Sequence, residues 1–192
     1  MSNASKAVVV DHEITLVPRS VDDAAEMHAV VERNRDALRE WLTWIDATRT
    51  VADTRRYAQF AQAQFESHVA FDFAIRASGA FVGSIGLHGL DWSSRSGQIG
   101  YWLAPDVRGR GLISRGVTAL VTHAFAHLDV HRIEIRCVVE NARSRAVPER
   151  IGFFFEGVLA EAYLLHGRFR DIALYATTAT RWPERRTAAP RP

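Results

Sequence analysis

Over residues 13–17 apolar and polar side chains alternate, the period of a half-buried strand. Ser20 follows as an N-cap, and the spacing predicts a helix through about Arg33. A second helix is expected over 35–45 and a third over 52–68, where Tyr57, Phe60, Ala61 and Phe65 recur at helical spacing. The period then shortens to two. Strands are expected over 69–77, 80–90 and 96–103, joined by Ser78-Gly79 and by a turn through 91–95, which reads as a pair of antiparallel hairpins. After Pro105 the pattern gives a helix over 111–128, a strand over 131–139 and a short helix capped by Asn141. Two last strands, near 153–163 and 169–179, flank His166-Gly167. A strand, a helix and a second strand of these lengths make a parallel crossover. The fold class predicted is therefore α+β: a mixed, mainly antiparallel sheet with one parallel pair at its centre, flanked by helices.

Composition bounds this picture without changing it. The chain has 192 residues, 47% hydrophobic and 24% charged, enough for one sizeable core. One domain is expected over 11–181, with 1–10 and 182–192 as flexible ends; three of the six prolines lie in the second of these. No apolar run reaches the roughly 18–20 residues of a membrane span and no secretion signal opens the chain, so a cytoplasmic protein without a membrane partner is expected. The single cysteine, Cys137, excludes an intramolecular disulfide. His123 and His127 are four apart, with His131 following, but no further ligand accompanies them, and no metal is expected.

Charge is informative only in its distribution. The net value of +2 is too small to imply a nucleic-acid partner, yet residues 1–102 carry −3 and residues 103–192 carry +5. The second part suits an anion. All basic side chains but Lys6 are arginines, whose planar forks grip phosphates at two points. Arg108-Gly109-Arg110-Gly111 lies directly between an expected strand and an expected helix. Amides at a helix start have no internal partner and sit at the positive end of the macrodipole, so a small glycine loop there can hold a phosphate.

Three runs extend that signal: Ile99-Gly100-Tyr101-Trp102-Leu103-Ala104-Pro105, the arginine–glycine loop, and Glu140-Asn141-Ala142-Arg143-Ser144 through Pro148 to Phe153. Together they resemble the GNAT superfamily of acyl-CoA-dependent N-acyltransferases. Glu156-Gly157-Val158-Leu159, Ala162-Tyr163 and Gly167-Arg168-Phe169-Arg170-Asp171, with Glu40-Trp41-Leu42-Thr43-Trp44, resemble its RimJ/RimL branch, which acetylates N-terminal amines of ribosomal proteins. The resemblance implies a parallel pair splayed at its end, with the arm of acetyl-CoA in the gap against the backbone of Trp102 and Leu103. It implies a pyrophosphate site over Arg108, Gly109, Arg110, Gly111, Leu112, Ile113 and Ser114; Ile113 departs from the family's small residue there and narrows or shifts the loop. Asn141 is expected both to cap its helix and to contact the cofactor arm. Many relatives carry a tyrosine at Pro148 as proton donor to the departing thiolate; this chain cannot, and Ser144 is the branch's candidate for that part. Pro148 also lacks the N–H that would bond the Ser144 carbonyl, leaving that group available.

The attacking amine must shed a proton. At pH 7 an α-amine of pKa about 7.8 needs roughly 1 kcal/mol, and a lysine of pKa about 10.4 roughly 4.6. The branch often has glutamates at Gln98 and Tyr163, both absent here. Glu161, two residues from Tyr163, and His88 are the remaining base candidates. Trp41 and Trp44 are expected to share a helix face, one of them lining the acceptor groove with Tyr163. The function expected is transfer of acetyl from acetyl-CoA to a primary amine, a protein or peptide N-terminus, by direct attack in a ternary complex. Two other readings fit the same residues: an acetyltransferase for a small-molecule or antibiotic amine, and a catalytically degenerate acyl-CoA-binding protein. Members of this branch often form homodimers, although the sequence carries no interface signal of its own.

Overall fold

The computed structural model describes residues 7–182. Eight strands form one sheet in the order β1-β2-β3-β4-β5-β6-β8-β7: β1 (Val8–Val9), β2 (Ile14–Pro18), β3 (Phe71–Ala77), β4 (Ala80–Asp91), β5 (Ser96–Leu103), β6 (Arg132–Val138), β7 (Phe154–Leu165) and β8 (Arg168–Thr178). Every pair is antiparallel except β5 and β6. The helices are α1 (Ala24–Arg33), α2 (Arg35–Arg39), α3 (Val51–Glu66), α4 (Leu112–His127) and α5 (Ala142–Ile151). This is the mixed α+β sheet with a central parallel pair expected above. Among the described residues no helix is long and apolar enough to cross a membrane.

Strand alternation divides the core between the two faces of the sheet. Phe71, Phe73 and Ile75 of β3 join Val117, Leu120 and Val121 of α4 in the main cluster, whereas Ala74 joins Met27 and Val30 of α1 in a second. The buried Arg19 binds this region together, donating to Asp72 Oδ1 at 2.8 Å and to Ser84.

Several local expectations need correction. Ser20 does not cap α1; its hydroxyl accepts from Asp22 N at 3.2 Å in a preceding turn, and Asp23 is the cap residue. The helix expected over 35–45 stops at Arg39, because Leu42 turns extended (φ −122°, ψ 112°) before a short 3-10 turn, Thr43–Asp46. Trp41 and Trp44 therefore do not share a helix face. On α3 the buried positions are Thr54, Ala58, Ala61 and Phe65, and Tyr57 and Phe60 are exposed. At the ends, Val8–Val9 pairs with β2 inside the segment expected to be loose. Trp182 is buried and donates its Nε1–H to Thr122 Oγ1 at 3.0 Å, while the rest of the expected tail lies outside the described residues.

Candidate active site

Strands β5 and β6 pair only at Ser96–Arg132, Gly97–Ile133 and Gln98–Glu134. Beyond those rungs β5 stays with β4 as far as Leu103 opposite Gly83, and β6 stays with β8 as far as Val138 opposite Ile172. Each outer neighbour pulls its strand away from the other, so the parallel pair opens into a wedge. Backbone groups of residues 99–103 on that side have no strand partner and face a cavity of about 1380 Å³. Trp102 and Leu103 both line it. The Trp102 ring packs edge-on to Phe81 (5.7 Å) and tilted against Trp44 (6.0 Å), which fixes β5 beneath α1 and the 3-10 turn.

The loop from β5 to α4 closes one end of the wedge. Gly109 (φ +81°) and Gly111 (φ +72°) both adopt left-handed backbone, which glycine takes without a Cβ clash. Around both, the place where a Cβ would stand is open, with no heavy atom within 4 Å. Gly111 is the cap residue of α4, and no side chain caps the first turn, so its leading amides remain available to an anion. Arg108 faces the cavity; partial burial and the nearby Arg143 charge lower its pKa, with Glu40 opposing them. Neither Arg108 nor Arg143 has a carboxylate partner within ion-pair distance among the described residues. The Arg110 side chain lies away from this cavity. Its guanidinium pairs with Glu13, outside the cavity lining. Leu112 is almost fully buried and Ile113 packs on the main core, so the branched side chain is absorbed by packing. Ser114 Oγ accepts from Arg150 Nη1 at 3.1 Å.

The first turn of α5 closes the other side. Asn141 caps it, its Oδ1 accepting from Ser144 N at 3.1 Å. Ser144 Oγ lies 3.2 Å from the Sγ of Cys137 on β6 and 3.4 Å from Tyr101 Oη on β5. Burial pushes the Cys137 thiol up, keeping it protonated, and pushes the Tyr101 phenol well above its ordinary value. Trp41 and Tyr163 line the cavity where the acceptor groove was expected, and Trp44 does not.

Neither base candidate reaches the wedge. Glu161 sits at a bulge in β7 between Leu159 and Tyr163, at φ +49°, exposed, with its amide donating to Asp171 Oδ1 at 2.8 Å. The bulge cancels the two-residue alternation that would have put it on the face of Tyr163. The His88 ring stands over Gly100, where an added Cβ would lie 2.9 Å from its Nε2. It lines a separate cavity of about 190 Å³ with Tyr57 and Phe60, and desolvation lowers its pKa. Among the described residues lining the wedge there is no carboxylate and no imidazole.

The splayed parallel pair is what the resemblance implied, and the open amides with Arg108 beside them lie in the loop where it put the pyrophosphate. The family model for the acetyltransferase (GNAT) domain matches residues 13–154. The chain belongs to the GNAT acetyltransferases. It is 31% identical over 175 residues to the putative ribosomal N-acetyltransferase YdaF of Bacillus subtilis (strain 168), a match covering 90% of this chain and 95% of that protein. It is 30% identical over 167 residues to the ribosomal-protein-serine acetyltransferase of Escherichia coli (strain K12), covering 81% and 93%. The solved structure of RimL, a ribosomal L7/L12 alpha-N-protein acetyltransferase in complex with coenzyme A, superposes with a TM-score of 0.87 at 26% identity, covering 90% of this chain and 98% of that one. This GNAT chain is thus an N-acetyltransferase.

Reading the sequence alone left Tyr101, Cys137, Arg143 and Arg150 without roles although all four line the wedge. Only Tyr101 had a signal: the carbonyl that Pro148 leaves free needs a donor, and a strand tyrosine can supply one.

Proposed function

We propose that this enzyme transfers the acetyl group of acetyl-CoA to the α-amine of a protein N-terminus. The observation that carries the reading is the lining of the wedge: Arg108, Arg143 and Arg150 contribute cations with no carboxylate partner among the described residues, Arg136 is paired with Glu134, and no described lining residue can take up a proton near neutral pH. Such a site is matched to the phosphates of the donor and poorly matched to an acceptor that arrives as a cation. Of the two primary amines a protein carries, the α-amine loses its proton at less cost, about 1 kcal/mol at pH 7 against roughly 4.6 for a lysine side chain. Proton loss to water before binding then suffices, and the protein contributes mainly by holding amine and thioester together.

In this reading the pyrophosphate sits on the amides of Gly109, Gly111, Leu112, Ile113 and Ser114 with Arg108 beside them, and the cofactor arm runs along Trp102 and Leu103 toward Asn141. Trp41 and Tyr163 wall the acceptor. The amine nitrogen attacks the thioester carbonyl carbon, the carbon–sulfur bond breaks, and the sulfur leaves with the bonding pair. The Ser144 hydroxyl donates to that sulfur, and the amine's second proton leaves to water. Mass spectrometry of native protein with acetyl-CoA and a panel of N-terminal peptides, spermidine and an aminoglycoside tests it. The expected result is peptides heavier by one acetyl group, with kcat/KM rising with pH through the amine's own pKa. Faster turnover of spermidine or the aminoglycoside would overturn the acceptor; tight acetyl-CoA binding with no product from any amine would mean a degenerate binder.

A further inference from the structure

In a helix the carbonyl of residue i accepts from the N–H of residue i+4. For Ser144 that residue is Pro148, which lies inside α5 and has no N–H. The orphaned carbonyl is nevertheless satisfied, because Tyr101 Oη donates to it at 2.9 Å from across the wedge. The phenol comes from the unpaired part of β5, so this bond is a strut between the two walls just where the sheet has let them part.

We infer that Tyr101 is a positioning residue for Ser144: besides supplying the hydrogen bond that Pro148 withholds, its hydroxyl aims the serine hydroxyl into the wedge by accepting from it. The inference rests on the reading that Ser144 donates to the departing sulfur. Ser144 is held at three points: its amide by Asn141 Oδ1, its carbonyl by Tyr101, and its hydroxyl between Tyr101 Oη and Cys137 Sγ. The single phenolic proton is already committed to the carbonyl. Tyr101 can therefore only accept from the serine hydroxyl, whose proton can turn to an arriving sulfur while the protonated Cys137 thiol beside it donates to Ser144 Oγ. Burial that keeps the phenol protonated makes the strut independent of pH across the neutral range.

The test separates bracing of the helix from aiming of the serine. Tyr101→Phe, Pro148→Ala, their combination and Ser144→Ala are compared for thermal midpoint, acetyl-CoA affinity, kcat and KM, using the amine that native enzyme acetylates fastest. Tyr101→Phe is expected to lower the midpoint and to cut kcat about 10- to 100-fold, the scale of a small misplacement, with KM for acetyl-CoA nearly unchanged. In the double variant the amide of residue 148 can bond the carbonyl, so the midpoint recovers toward that of Pro148→Ala while kcat stays low. Recovery of kcat together with the midpoint would overturn the inference, since Tyr101 would then serve only to satisfy a carbonyl; so would an undiminished kcat in Tyr101→Phe. If Ser144→Ala keeps full kcat, the serine reading itself fails, and the inference falls with it. A slow Ser144→Ala beside a fully active Tyr101→Phe would leave the serine standing and remove only the tyrosine.

Discussion

Arg108 and Arg110 stand two residues apart in one loop and end in opposite electrostatic settings. Arg110 reaches back to Glu13, which also receives Arg115 Nη2 at 2.7 Å, while Arg115 Nη1 meets Asp11 Oδ2 at 2.6 Å. This pinned cluster ties the start of α4 to the first strands. Arg108 faces the wedge without a carboxylate partner, and the neighbouring Arg143 charge works against it. The same side chain thus does two jobs, and the presence of a carboxylate tells them apart. Where an arginine's charge is cancelled it holds the fold; where it is left uncancelled beside open amides, it waits for an anion.

The comparison breaks most visibly if both features on the wedge side are removed. Arg108→Ala with Gly111→Val deletes a charge-assisted hydrogen bond worth about 1.5–3 kcal/mol and forces a branched residue into left-handed backbone at about 1–3 kcal/mol. Calorimetry should show acetyl-CoA binding weakened at least about 100-fold, and unchanged affinity would mean the donor lies elsewhere. Arg108→Ala alone should weaken binding about 10- to 100-fold. On the pinned side the effect is on acid stability. The Arg115 hydrogen bond holds Glu13 below its ordinary carboxylate range, and the Glu13 amide, with Ile14 N and Arg115, does the same for Asp11. Folded values below the unfolded ones give stability that is present above about pH 4 and is lost as pH falls through the lowered values. Arg115→Ala should therefore unfold more readily at neutral pH and show a shallower loss between about pH 4 and 2. The smallest effect belongs to Arg110→Ala, whose acetyl-CoA affinity should stay within about twofold of native, since its exposed pair is worth little. A tenfold loss there would erase the distinction drawn between the two arginines.

The order of strands and helices was legible because it follows from local period, and the wedge because the motif runs carry it in sequence. What escaped depends on distant partners. Nothing near Arg110 announces that Glu13, far back along the chain, will claim it. Glu161 reads as alternating with Tyr163 until three residues of β7 have to oppose Asp171 alone. Trp41 and Trp44 look like one helix face until Leu42 turns extended. Cys137 said only that no disulfide forms; its place beside Ser144 follows from β6 and α5 packing together. Register, bulges and ion pairs between remote segments are set when the sheet assembles, so the chemistry at the wedge was readable as residue types and only in part as geometry.

Gly83 fixes how closely β4 and β5 can lie. A Cβ at that position would lie 2.3 Å from the Trp102 carbonyl oxygen, so β4 is pressed against β5 as closely as a hydrogen permits. Any side chain there would push β4 off β5 at the rung opposite Leu103, so glycine at position 83 keeps in place the strand that forms one wall of the wedge.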